Sequence, residues 1–271
     1  MSDRLKELLG EIVESLEEDA KSRGGQVIPL QFVKEEAARW KSAREDDAGI
    51  WFTIVLMMLR FGFKRFPYRY EMKDLVLEKL GDLDALAEME DKDKRVLAQD
   101  EILGLNLQQI RSVAKNARTA KMLLNDFGSL IDLVASFEGV AADLSEGMEE
   151  MFSYLTPEAT KEFARQMGLV KPGSDPAVRR VLSRMDDLVD GSLDLEGIQR
   201  AIQGMAESTE HSEEEVDSLL RIFASGEDQI GVSAICDVKS SCFRCRLSKE
   251  QCSERRFEFG SSLEISRADS Y

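Results

Sequence analysis

CDVKSSCFRCRLSKEQC, residues 236–252, gathers all four cysteines of a 271-residue chain into seventeen residues. The spacing is C-x5-C-x2-C-x6-C: a tight pair, Cys242 and Cys245, with Cys236 and Cys252 one short loop to either side. Such a segment can wrap four thiolates around one tetrahedral metal centre or one iron–sulfur cube. Disulfides that staple a fold usually join distant segments, so four cysteines confined to one tail read as a metal or cluster site. Two local disulfides, or four free thiols, are the alternatives.

Working outward, the rest of the chain has the composition of a helical protein: 32 % charged, 7 % aromatic, with Leu, Met, Ala and Glu common. A net charge of -16 argues against a surface coated in cations for nonspecific nucleic-acid binding, although a local basic face is compatible with it. No apolar leader follows a basic start, and the most apolar run, residues 50–59, is too short to cross a bilayer. The expectation is a cytoplasmic or nucleoid-associated protein without a membrane partner, in a compartment reducing enough for thiolates.

Leu5, Leu8, Leu9, Ile12, Val13 and Leu16 fall on one stripe of a first helix ending before Gly24. Residues 29–31 read as a connector and 32–43 as a second helix carrying Trp40. Residues 50–61 are apolar on nearly all sides and predict a buried central helix. The run 60–70, RFGFKRFPYRY, interleaves cations with aromatics; it reads either as a stacking surface for single strands or as a packed helix end. Helical patterns continue at 73–80 and 83–89, a charged break at 90–95 precedes 96–103, and a long helix runs from Leu107 to Phe127, ended by Gly128. On that helix Arg111, Lys115, Arg118 and Lys121 form a basic side, which is read as a solvated face. No stretch alternates long enough for a sheet, and the single His211, on an acidic stretch, reads as a surface residue.

Two helix starts stand out beyond this. Leu155-Thr156-Pro157-Glu158-Ala159-Thr160-Lys161 places Thr156 as N-cap and Pro157 in the first turn. After the linker 171–174, Asp175 is again an N-cap and Pro176 again opens a helix, DPAVRRVLSR through Arg184. Taken alone, both are capping chemistry.

In combination, an all-helical body, these two starts and the cysteine loop resemble the helix-hairpin-helix DNA glycosylases, in the endonuclease III and MutY-like branch that carries a [4Fe-4S] loop. The family loop is C-x6-C-x2-C-x5-C; here the inner pair is shifted by one residue and the overall span is the same. The family's Asp-Thr-His-Val-x-Arg-Val-x-x-Arg looks like Asp175 to Arg184, with Pro176 and Ala177 in place of Thr and His. Its hairpin Leu-Pro-Gly-Val-Gly-x-Lys looks like Leu155 to Lys161, but both glycines are absent and Glu158 stands where a phosphate would be met.

The resemblance implies an all-α, two-lobed fold with a C-terminal four-cysteine cluster loop. Residues 1–44 would pack on the C-terminal lobe, 45–165 would form a six-helix-barrel-like domain with a degenerate hairpin, 166–257 the lobe with the loop, and 258–271 a tail. It implies a base-excision glycosylase acting on double-stranded DNA with a damaged or mismatched base, with or without abasic-site lyase activity. Asp175 would stabilise the oxocarbenium-like state or activate the nucleophile, and Lys161 would be the Schiff-base amine. Cys236, Cys242, Cys245 and Cys252 would hold a [4Fe-4S] cluster, with zinc as the alternative. Arg179, Arg180, Lys239, Arg244, Arg246 and Lys249 would face DNA, and the protein would act as a monomer. Two other readings stay open: a catalytically inactive relative that binds nucleic acid or protein, and an unrelated helical protein with a four-cysteine zinc site.

Overall fold

The computed structural model describes residues 2–25, 28–62, 73–137, 141–185, 194–247 and 251–252. Most of the basic-aromatic run (63–70), Lys249 and the chain beyond Cys252 lie outside them. Helix makes up 72 % and strand 3 % of the described residues, which is the all-α class. Packing divides the chain into two compact units: a terminal unit, Met1–Ala37 with Pro172–Tyr271, and an inner unit, Ala38–Lys171. The division falls within α2 (Pro29–Ala43), which follows α1 (Ser2–Ser22). The second helix thus begins three residues earlier than its apolar pattern suggests, because Pro29 fits a first helical turn, where no backbone N–H is needed.

The inner unit is built on α3 (Asp47–Met57), every residue of which from Gly49 onward is buried. The Asp46 carboxylate caps it by accepting from the Gly49 N–H, and a π-helical turn, Met58–Gly62, extends it. Gly49 is required by close packing, since a Cβ there would stand 2.5 Å from the Ala43 carbonyl oxygen. Around α3 come α4 (Lys73–Leu80), α5 (Leu83–Glu88), α6 (Asp91–Leu97), α7 (Leu107–Phe127), α8 (Leu130–Ala135), α9 (Ala141–Met151) and α10 (Pro157–Gln166). The charged stretch read as a break is helix α6, and most of 98–103 is turn. Asp91 and Asp93 in its first turn and Lys94 and Arg95 in its last suit the helix dipole, so charge order rather than apolar period marks this short helix.

Helix α7 starts with a reciprocal capping box between Asn106 and Gln109 and stops at Gly128, whose φ of 84° is the left-handed region that favours glycine. Its basic side is more engaged than a solvated face. Arg111 pairs with Asp91 at 2.9 Å, Lys121 with Asp84 and Glu88 at 2.9 Å each, and the Arg118 Nε donates to the Ala87 carbonyl at 2.9 Å. These cations tie α7 to α5 and α6.

In the terminal unit the stripe on α1 is buried as its spacing predicts: Leu8, Ile12 and Leu16 are fully enclosed, Leu5 and Leu9 nearly so, and Val13 partly. This face packs on α12 (Leu195–Thr209) and α13 (Glu213–Ser225), and α13 also carries α11 (Pro176–Arg184). The apolar faces meet in one core that includes Val178, Val181, Leu182, Leu219, Leu220, Phe223, Cys236 and Cys252. Beyond α13 the chain leaves regular structure. A two-residue antiparallel pair, β1 (Gly226–Glu227) with β2 (Val232–Ser233), leads into the cysteine segment.

Candidate functional site

The cysteine segment has, among its described residues, little secondary structure of its own, a single 3-10 turn at Cys242–Arg244, so its backbone needs partners from elsewhere. The last turn of α13 provides the first: the N–H groups of Ile235 and Cys236 both donate to the Phe223 carbonyl, at 3.0 and 2.9 Å. Helix α1 provides the second with a polar edge beside its apolar stripe. The buried Asp19 carboxylate accepts from the Ser233 N–H at 2.8 Å and from the Arg244 guanidinium at 2.7 Å. One turn earlier the buried Ser15 hydroxyl accepts from the Arg246 N–H at 3.0 Å, and the Arg246 guanidinium pairs with Glu14 and Glu18. The Arg246 pairing holds Glu18 below the usual carboxylate range, mainly through its hydrogen bond.

Helix α11 provides the third set of partners. The Arg180 Nε donates to the Cys236 carbonyl at 3.4 Å and its terminal nitrogen meets Asp237 at 3.2 Å. One turn on, Arg184 donates to the carbonyls of Cys236 (3.3 Å), Asp237 (2.7 Å) and Val238 (3.4 Å), and to the Cys236 sulfur at 3.2 Å. The segment closes with Cys252 bridged antiparallel to Met185 at the end of the same helix.

The four cysteines carry no disulfide; Cys236, Cys242 and Cys252 are buried and Cys245 partly so. Burial raises the Cys236 thiol pKa, neighbouring Cys252 and Cys242 raise it further, and the Arg184 hydrogen bond and charge oppose both. The Cys242 thiol donates to the Ser240 hydroxyl at 3.3 Å. Among the described residues no three His, Cys, Asp or Glu side chains are gathered as a ready ligand shell for one ion. The segment does carry four free thiols, the donor type that thiolate-bound groups use, with an arginine N–H directed at the sulfur of Cys236.

Asp175 sits at the other end of α11. Its carboxylate caps the helix by accepting from the Ala177 N–H at 2.8 Å, and Pro176 takes the first helical position. The structure therefore joins Asp175 to the cysteine segment through one nine-residue helix. Of the cations singled out from sequence, Arg180, Arg244 and Arg246 hold that segment in place, Arg179 donates to the Gly173 carbonyl at 3.1 Å, and Lys239 is exposed. Arg184, with contacts to three carbonyls and a sulfur, was not singled out for this role. Its signal was helical spacing, four residues beyond Arg180 on the same face.

Lys161 belongs to the inner unit, exposed on α10. At the start of that helix Thr156 is the N-cap, its hydroxyl accepting from the Ala159 N–H at 3.3 Å. Glu158 is held below the usual carboxylate range, first by its own backbone N–H, then by Thr156 and Lys161. Ahead of α10 the turn is clamped by Asn116, which is buried: its amide donates to the Ser153 carbonyl at 2.9 Å and accepts from the Ser153 N–H at 2.8 Å. The next residue, Tyr154, adopts a left-handed φ of 64°, and its hydroxyl accepts from Gln108 at 2.6 Å.

His211 is not the surface residue its acidic surroundings suggest. Its side chain is 13 % exposed and lines a shallow concavity of about 490 Å³ along α1, with Leu9, Gly10, Val13 and Leu30. Burial and the charge of Lys34 lower its pKa, against opposing effects of Glu215 and Glu210.

No helix among the described residues is long and apolar enough to cross a membrane. Comparison with protein-family models, with curated proteins and with solved structures finds no match to any of them.

Proposed function

We propose that the chain is a helix-hairpin-helix-type base-excision glycosylase whose four cysteines hold a [4Fe-4S] cluster. The observation that carries this reading is α11, with a carboxylate at its N-cap and two arginines on the cysteine segment. A glycosylase needs one carboxylate held in a fixed place beside the sugar of an extruded nucleotide, where it stabilises positive charge developing as the N-glycosidic bond breaks. Asp175 is suited to this, its carboxylate fixed as the N-cap of a helix by the Ala177 N–H. Cys236, Cys242, Cys245 and Cys252 would hold the cluster, which when bound would cross-link the segment. The segment's protein contacts fix the C-terminal end of the helix that starts at Asp175. The chain's own basic residues would meet the backbone of damaged or mismatched duplex DNA, Lys239 on the cysteine segment among them.

Lys161 would be the amine of a lyase step. A lysine becomes a Schiff-base nucleophile where burial or a neighbouring cation favours the neutral amine, whereas Lys161 is exposed and near the Glu158 carboxylate. Covalent trapping decides that step.

One observation favours a second reading, a noncatalytic protein of the same fold. Glu158 holds an ionised carboxylate on its own N–H group at the start of α10, where the hairpin would present N–H groups to phosphate. The test begins with protein purified without oxygen. Iron and labile sulfide in equal amounts, with a brown colour, support the cluster; a colourless zinc protein overturns it in favour of a zinc site. The native chain is then incubated with duplexes carrying oxidised, deaminated, mismatched or abasic positions. Base release that Asp175→Asn abolishes supports the glycosylase; binding without release, unaffected by Asp175→Asn, supports the second reading. A borohydride-trapped adduct lost in Lys161→Ala adds the lyase step.

A further inference from the structure

We infer that Asp217, on α13, is the positioning residue for Asp175, acting through the peptide of Gly173. This rests on the base-excision reading. Asp217 is 8 % exposed, and its carboxylate accepts from the Gly173 N–H at 2.7 Å. The Gly173 carbonyl in turn accepts from the Arg179 Nε, one turn into α11, at 3.1 Å. Two residues further on, Asp175 is fixed by its bond to the Ala177 N–H. The segment carrying the carboxylate is thus gripped immediately before and immediately after it.

Gly173 makes the grip possible. Its φ of 78° is left-handed, and a Cβ would stand 2.5 Å from Ile198 Cγ2, so the chain lies pressed on α12 with no room for a side chain. The choice of acceptor is also informative. Elsewhere in this unit irregular backbone is held by a carbonyl, as Ile235 and Cys236 are by Phe223, by the Ser15 hydroxyl at Arg246, or, at Ser233, by the buried carboxylate of Asp19. A buried carboxylate is costlier to desolvate than a carbonyl or an amide, and it makes a shorter, stronger bond to an N–H. It is used at the linker that sets where Asp175 stands. A reacting carboxylate must be held to within a fraction of an ångström, since a displacement of about 1 Å costs on the order of a hundredfold in rate.

The experiment uses the full chain with its cofactor, on whichever lesion duplex the native protein cleaves, with enzyme in excess. Asp217→Ala should slow single-turnover base release by about tenfold to a hundredfold, with duplex affinity within about threefold. Asp217→Asn keeps an oxygen acceptor for the Gly173 N–H and should restore most of the rate, while Gly173→Ala should reproduce the loss. Thermal unfolding of each variant shows whether the fold is kept. Release that survives Asp217→Ala overturns the inference alone. So does a loss shared by Ala and Asn variants together with a lost cooperative transition, which would make Asp217 a purely structural support. No base release by the native chain overturns the base-excision reading and the inference with it.

Discussion

The inner and terminal units use charge in opposite ways. In the inner unit the hydrophobic core around α3 and regular helices satisfy the backbone, and charged side chains bridge one helix surface to the next, as Lys121 does with Asp84 and Glu88. In the terminal unit the chain after α13 is irregular, and charged side chains from α1 and α11, with one hydroxyl, hold it in place: Asp19, Arg180, Arg184 and Ser15 each bond its backbone. Irregular backbone cannot satisfy itself, so buried side-chain hydrogen bonds do structural work there that ladders do elsewhere. The difference teaches that a cation in this sequence is a poor guide to a nucleic-acid surface until its acidic partner has been found.

That contrast can be broken by mutation. The largest effect is expected at Asp19: Asp19→Ala leaves the Ser233 N–H without its acceptor and Arg244 without its carboxylate partner, and should lower stability by about 3 kcal/mol, read from urea unfolding. An equal loss from Lys121→Ala would erase the distinction between the units; that variant should unfold at the native urea midpoint, because its partners are exposed. The inner unit also holds backbone with a buried side chain at Asn116, whose amide clamps one turn. Asn116→Ala should cost about 2 kcal/mol by leaving the backbone N–H and carbonyl of Ser153 without the Asn116 amide, with amide exchange at Ser153 quickening to match.

A smaller effect concerns pH. The His211 pKa is lowered in the folded protein, so the unfolded chain takes up the proton first as pH falls. The stability His211 contributes is present above the ordinary histidine value and is lost as pH drops through the lowered one. Between about pH 7 and pH 5 the native melting temperature should therefore fall more steeply than that of His211→Gln. Parallel slopes would show that the imidazole is solvated after all.

Much of the helical framework could be read from local patterns. The stripe on α1, the Gly128 end of α7, and the paired starts at Thr156-Pro157 and Asp175-Pro176 are all set within a few residues, and the structure has each of them. Helix α6 is hard to read because five of its seven residues, all but Val96 and Leu97, offer charge instead of apolar periodicity over barely two turns; its end charges are the usable signal. What held the cysteine segment was illegible for a different reason. Asp19 and Arg244 are 225 positions apart, and Arg180 and Cys236 are 56 apart. Nothing local marks Asp19 as a buried carboxylate among the solvated acids of α1.

Helix α11 also sets a phase condition. Its nine residues span about 14 Å, and Arg180 and Arg184 reach the cysteine segment only because they share one face of a helix whose start is fixed at Asp175. Adding or deleting one residue between 176 and 180 would turn that face by about 100° and swing both guanidinium groups off the segment, with every side chain of the pair still present. The relation between the carboxylate and the sulfurs is therefore encoded as an angle. A chain could keep all its named residues and lose the linkage through a single change of length.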